Sequence, residues 1–163
     1  MINSFFYFSK NRANGLTVLE IIVVLGILML LTAASVVSLS SYRDRQVLNG
    51  ESAQVLSILN KARSQTLASK SQMSYGVRIE SDRATLYTGP VFDSVPADRE
   101  EYILHHSVTA SNILLAGGGG DILFDRLTGE TASYGTFRIE LAADPLQYHI
   151  ILIKQTGLVE KEN

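Results

Sequence analysis

From Ile21 to Leu31 the chain carries no polar side chain, and Glu20 stands directly before that stretch. Counted from Leu16 to Leu39, the apolar run covers roughly 24 residues, or about 36 Å of helix. That length suits a bilayer crossing with some tilt. The rest of the chain is polar and well mixed, so the ordinary average of 46% hydrophobic and 18% charged residues hides two segments that call for different solvents. The 163 residues suit one modest domain beyond the run.

Lys10 and Arg12 precede the run and no acid does. Cations on that side favour a cytoplasmic N-terminus and send the C-terminal part outward. An ordinary secretory signal has a shorter apolar core with a small-residue cleavage site after it, and no clean site of that kind follows Leu39. The plainest reading is a single-pass anchor. Glu20 does not fit that reading. A carboxylate at membrane depth costs on the order of a few kcal/mol and normally has a partner or a function.

The string Asn14-Gly15-Leu16-Thr17-Val18-Leu19-Glu20, followed by the unbroken apolar helix, resembles the prepilin cleavage and methylation signature of type IV pilin-like proteins. The resemblance implies cleavage between Gly15 and Leu16 by a prepilin peptidase, N-methylation of Leu16, and a role in filament assembly for Glu20 and Thr17. Leu16 stands where the family most often has Phe, but a bulky apolar residue is kept. The implied organisation is a leader over 1–15, a transmembrane helix over 16–39 and an extracytoplasmic domain over 40–163. The implied location is the bacterial inner membrane, crossed once, with the C-terminal domain in the periplasm or outside, then a filament. In a packed bundle of apolar helices, a new amine at Leu16 and the Glu20 carboxylate can pair, because a matched pair is tolerated where a lone buried charge is not. Loss of Lys10 and Arg12 from the 14 cations leaves 12 against 16 acids, a net charge of −4.

Past Leu39 the pattern becomes amphipathic. Leu48, Ser52, Val55, Leu59, Ala62 and Thr66 step by fours and threes with Leu56 alongside, while Arg43, Arg45, Glu51, Lys61 and Lys70 take the other side. No proline falls between Leu16 and Gln72. One helix from about Thr17 to Ser69 is expected, its stripe being core, with a break near Asn49-Gly50 as the alternative.

After Ser71 the period falls to two. Strands are expected over Met73–Ile79, Ala84–Tyr87, Tyr134–Leu141 and Tyr148–Ile153, with weaker ones at Ile103–His106 and Asp121–Phe124. Turns are expected at Ser81-Asp82, Thr128-Gly129-Glu130, Asp144-Pro145 and Thr156-Gly157. The fold class is α+β: a long N-terminal helix packed on an antiparallel sheet, read as one meander. The segment Ile122–Gly129, then Ile151-Leu152-Ile153 and Thr156-Gly157-Leu158-Val159, resembles the GspH/FimT branch of minor pseudopilins and minor pilins. That implies a minor subunit of a type II secretion pseudopilus or a type IV pilus, with other pilin or pseudopilin subunits as partners.

Other chemistry finds little support. The chain has no cysteine, which removes disulfides, thiolate zinc sites and a catalytic thiol. Gly117–Gly120 lacks the following helix and Lys-Ser/Thr pair of a phosphate loop. His105 and His106 are adjacent and, if in a strand, face opposite sides. Ser, His and Asp occur without a nucleophile-elbow pattern. No enzyme, cofactor or metal is expected. The segment 88–102 holds Pro90, Pro96 and four acids, Asp93, Asp98, Glu100 and Glu101, and reads as an exposed excursion, either a partner-specific loop or a solvated connector. A pilus-tip module for DNA uptake or adhesion is the alternative function. The C-terminal end, Lys154–Asn163, mixes signs and has no arginine, which argues against nucleic-acid capture. A membrane-anchored domain that never polymerises is the third reading.

Overall fold

The computed structural model describes residues 17–68, 73–92 and 99–162, and of 34–41 the backbone only. The chain divides into two compact units, Met1–Ser40 and Ser41–Asn163. A single helix, α1, spans Val18–Leu67. It runs through Asn49-Gly50 without a break, so the two-helix alternative falls. Gly50 is exposed, with open space where a Cβ would stand.

In the second unit the expected stripe is the buried face. Leu48, Ser52, Val55, Leu59, Ala62 and Thr66 are all buried, and Ile58 joins them. The two polar members are satisfied. Ser52 Oγ donates to the Leu48 carbonyl at 2.7 Å. Thr66 Oγ1 donates to the Ala62 carbonyl at 2.9 Å and accepts from the Tyr75 amide at 3.0 Å. A buried hydroxyl without partners would cost about 1–3 kcal/mol. Here Thr66 instead ties the last turn of α1 to the first strand.

Among the described residues eight strands follow: β1 Tyr75–Ile79, β2 Arg83–Thr88, β3 Arg99–Ile103, β4 Val108–Leu115, β5 Asp121–Leu123, β6 Gly135–Leu141, β7 Asp144–Ile153 and β8 Val159–Glu162. They form two antiparallel four-stranded sheets rather than one meander, in the orders β3-β2-β1-β5 and β4-β6-β7-β8. The chain leaves the first sheet after β3, lays down β4 in the second, returns for β5 and goes back for β6. Of these three crossings, the one from β4 to β5 is short and carries special backbone. Gly117, Gly118 and Gly119 have φ between 72° and 93°, and a Cβ on Gly120 would stand 2.2 Å from the Ile79 carbonyl oxygen. The four glycines therefore make a crossover between sheets. The sheets are stitched where the β1–β2 turn meets β4: the Ala110 amide and Thr109 Oγ1 both donate to the Ser81 carbonyl.

Several expectations are corrected. Only Ile103 of Ile103–His106 is in a strand, because β3 begins at Arg99, inside the supposed excursion. The β6–β7 turn is Ala142-Ala143, with Leu141 paired to Asp144. The next pair is Glu140 with Tyr148, which leaves Pro145, Leu146 and Gln147 bulged out of the ladder. Pro145 is tolerated because no ladder bond is asked of it there. β4 and β8 were not expected as strands.

One core serves helix and both sheets of this unit. Leu59, Val77, Ile122, Phe124, Phe137, Ile139 and Ile151 are fully buried within it. Each such side chain contributes about 1.5–3 kcal/mol relative to exposure.

Candidate assembly surface

The start of α1 is built by its own sequence. Thr17 is the residue before the helix, and its Oγ1 accepts a hydrogen bond from the Glu20 amide at 3.2 Å. The Thr17 carbonyl accepts the first helical bond, from the Ile21 amide. Thr-x-x-Glu before an apolar run is the sequence form of a helix N-terminal capping box. Glu20 lies in the first turn, where a negative charge meets the positive end of the helix dipole. The sequence reading assigned both residues to assembly and missed this local role, although the three-residue spacing carried the signal. Gly15 and Leu16, the expected cleavage and methylation positions, lie outside the described residues.

Beyond the cap, from Ile21 to Leu31, α1 is apolar on every side. Val18, Leu19, Met29 and Leu30 are each 70% exposed or more, and Ile21–Leu25, Ile27, Leu28 and Leu31 are exposed as well. A helix apolar all round is stable in lipid or enclosed by other helices, not in water. Among the described residues no helix is long and apolar enough to cross a membrane. Leu16 and the side chains of 34–39, which belong to the expected span, lie outside them.

In the second unit the two glycine turns of the C-terminal pattern come together on one arginine. Arg63 Nε donates to the Gly129 carbonyl at 3.2 Å, and its Nη2 to the Thr156 carbonyl at 3.3 Å. Gly129 and Gly157 both adopt positive φ, 67° and 74°. A Cβ on Gly157 would fall 1.8 Å from the Gly129 carbonyl oxygen, so the turns touch backbone to backbone. Thr131 completes the junction, its amide donating to the Gln155 carbonyl at 3.0 Å. Arg63 was not singled out in the sequence, since nothing in its spacing tells it from other surface cations.

The first sheet is held to α1 by charge as well as packing. The Tyr102 hydroxyl on β3 donates to the Glu51 carboxylate at 2.9 Å, and Lys61 pairs with Glu100. Burial first, then the hydrogen bond to Glu51, pushes the Tyr102 phenol up to about 12. Glu101 meets Arg83 and Arg99. Two of the four acids of segment 88–102 therefore bind within the chain, while Asp93 and Asp98 lie outside the described residues.

His105 and His106 lie in the turn between β3 and β4, so strand alternation does not separate them as expected: their rings are 4.1 Å apart. His105 Nδ1 contacts Ser107 Oγ at 2.7 Å. His149 instead bonds Asn49 on α1. Among the described residues no group of three or more His, Asp or Glu converges as a metal site would.

A long N-terminal helix whose second half packs on antiparallel strands, with its first half left apolar and exposed, is a pilin-like fold. Two solved structures share it, both crystal forms of the type IV minor pilin FimU from Pseudomonas aeruginosa PAO1. One aligns with a TM-score of 0.56 at 16% identity, over 75% of this chain and 92% of that one. The other aligns at 0.52 and 16%, over 71% and 93%. At such identity the likeness is one of fold. No protein-family model and no curated protein matches the chain.

Proposed function

We propose that this protein is a minor subunit of a type IV pilus or a type II secretion pseudopilus, processed by a prepilin peptidase and assembled into a filament with other pilin-like subunits. The observation that carries the reading is the all-round apolar exposure of α1 from Val18 to Leu31, directly behind the Thr17–Glu20 cap, on a fold shared with a minor pilin. Before assembly the apolar segment is housed by the inner membrane, with the Ser41–Asn163 unit outside the cytoplasm. After assembly it is housed by the helices of neighbouring subunits. Cleavage between Gly15 and Leu16 frees an amine on Leu16, which is then methylated. The cap explains why Thr17 and Glu20 serve together: Thr17 starts the helix beside the new terminus, and the Glu20 carboxylate is left free to pair with an amine in a neighbouring subunit. The GspH/FimT branch is supported by the paired glycine turns that Arg63 joins.

Intact mass of the protein purified from membranes that contain the peptidase tests this directly. Loss of residues 1–15 with gain of one methyl group is expected. A chain retaining the leader would remove the pilin pathway and leave a simple anchor.

A further inference from the structure

His149, Asn49 and Lys161 meet on the helix-facing side of the second sheet. His149 pairs with the buried Ile139, and Lys161 with the buried Ile151, so all of them look toward α1. His149 Nε2 lies 2.9 Å from Asn49 Oδ1, and Lys161 Nζ donates to the same oxygen at 3.2 Å. Because Asn49 Oδ1 is the acceptor for the ammonium, the imidazole must present Nε2–H to it, which leaves Nδ1 unprotonated. That Nδ1 is shut off from solvent and has no hydrogen-bond partner among the described residues. Beside it lies an open cavity of about 250 Å³, lined by Arg45, Leu48 and Asn49 of α1 and by Leu146–His149 of β7.

We propose that His149 is a pH-sensitive latch, closing α1 onto β7 and β8 through Asn49 while neutral and opening this edge of the fold when protonated. A proton can add only at Nδ1, where it would become a buried N–H with no acceptor among the described residues. Lys161 of β8, a cation beside the ring, adds to the penalty, and Arg45 of α1 lines the same cavity. Asp144 stands at the far end of the bulge, engaged by Gln147 Nε2 at 2.8 Å and by the Leu146 amide. Arg138, Glu140, Glu160 and Glu162 are on alternate positions of their strands and point to the other face. Burial and Lys161 accordingly hold the imidazole below its ordinary range. A depressed histidine contributes stability that is complete above the unfolded value of about 6.5 and is lost as pH falls through the folded value. Pro145–Gln147, already out of the ladder, gives the edge room to move. The latch belongs to the Ser41–Asn163 unit and holds whatever the chain assembles with.

The test uses the full chain in detergent. Its melting temperature is followed from pH 8 to pH 4.5 for the wild type, His149→Gln and the double variant His105→Gln/His106→Gln. Gln keeps a donor for Asn49 and cannot titrate. The wild type and the double variant are expected to lose stability below about pH 6.5, and His149→Gln to lose markedly less. An acid response in His149→Gln as large as that of the wild type overturns the latch. Should that variant fail to fold, ring titration of the wild type by NMR decides. A midpoint for His149 at least half a unit (about threefold in proton affinity) below those of His105 and His106 supports the latch. A midpoint equal to or above theirs overturns it.

Discussion

Gly157 is defined by what lies against it. Its φ of 74° favours glycine, and a Cβ would stand 1.8 Å from a carbonyl oxygen across the junction. Gly157→Ala is therefore expected to destabilise the folded unit by about 3 kcal/mol or more, since both strain and a backbone clash apply. Arg63→Ala releases two carbonyls that water can still reach, so its loss should be smaller, about 1–2 kcal/mol. Chemical denaturation of both variants checks the order; an Arg63 effect exceeding that of Gly157 would contradict the geometry. Tyr102 offers a pH test. Its folded value of about 12 lies above the ordinary tyrosine value of 10.0, so the hydroxyl form is the one the fold favours. The stability it adds is complete below pH 10 and is lost as pH rises toward 12. Tyr102→Phe should be less stable than the wild type at pH 8, with the difference shrinking across that window in thermal melts. At the head of the helix, Thr17→Ala removes the cap and should cost about 1 kcal/mol of local helix stability, read as faster amide exchange at Glu20 and Ile21. Glu20→Ala leaves that cap in place, so a loss of filament assembly in this variant with normal membrane levels would separate the role of the carboxylate from that of helix initiation.

At the scale of elements, α1 was legible almost to the residue. Aliphatic residues at steps of three and four, without proline, dictate a helix wherever one face can be buried. The expected end at Ser69 and the observed end at Leu67 differ by no more than fraying. Gly50 is an exposed glycine inside this helix, and a methyl group there meets nothing. Gly50→Ala should raise stability by about 0.5–1 kcal/mol; a loss would mean that the helix breaks there. Strands were less legible. β1, β2 and β6 were anticipated from their alternating sequence and β7 from its continuous apolar run Tyr148–Ile153. β4 reads Val-Thr-Ala-Ser-Asn-Ile-Leu-Leu, and its alternation is broken between Ser111 and Leu114 where Asn112 takes a positive φ of 47°. The bulge shifts the inward set by a residue, which hides the period from a linear reading. β8, Val-Glu-Lys-Glu, is a short charged strand at the sheet edge, where charge discourages unwanted pairing and also erases the apolar signal.

For the molecule as a whole, the apolar exposure of Val18–Leu31 sets the solution behaviour. A chain lacking residues 1–40 should stay in buffer, whereas the full chain should partition into detergent, as phase separation in a cloud-point detergent would reveal. Partition of both into the aqueous phase would count against a membrane or helix-bundle environment. Within Ser41–Asn163 the core is shared by α1 and both sheets, so Phe137→Ala should lower stability by about 3–5 kcal/mol and do so in one transition, with near-ultraviolet and far-ultraviolet signals lost together.

Local rules acted first in this protein. Side-chain period, the absence of proline, the cap spacing and the break in hydropathy near Ser40 all express interactions between residues a few positions apart, and such interactions are written in linear order. The division of the strands into two sheets is not of that kind. It depends on which strand edges meet after the chain has crossed through Gly117–Gly120, and a crossover and a hairpin can use the same flexible residues. The same holds for Arg63 between two distant turns and for His149 against Asn49, 100 positions apart. Each is an ordinary polar residue until packing removes the water around it, and only then does its choice of partner carry an energy worth reading.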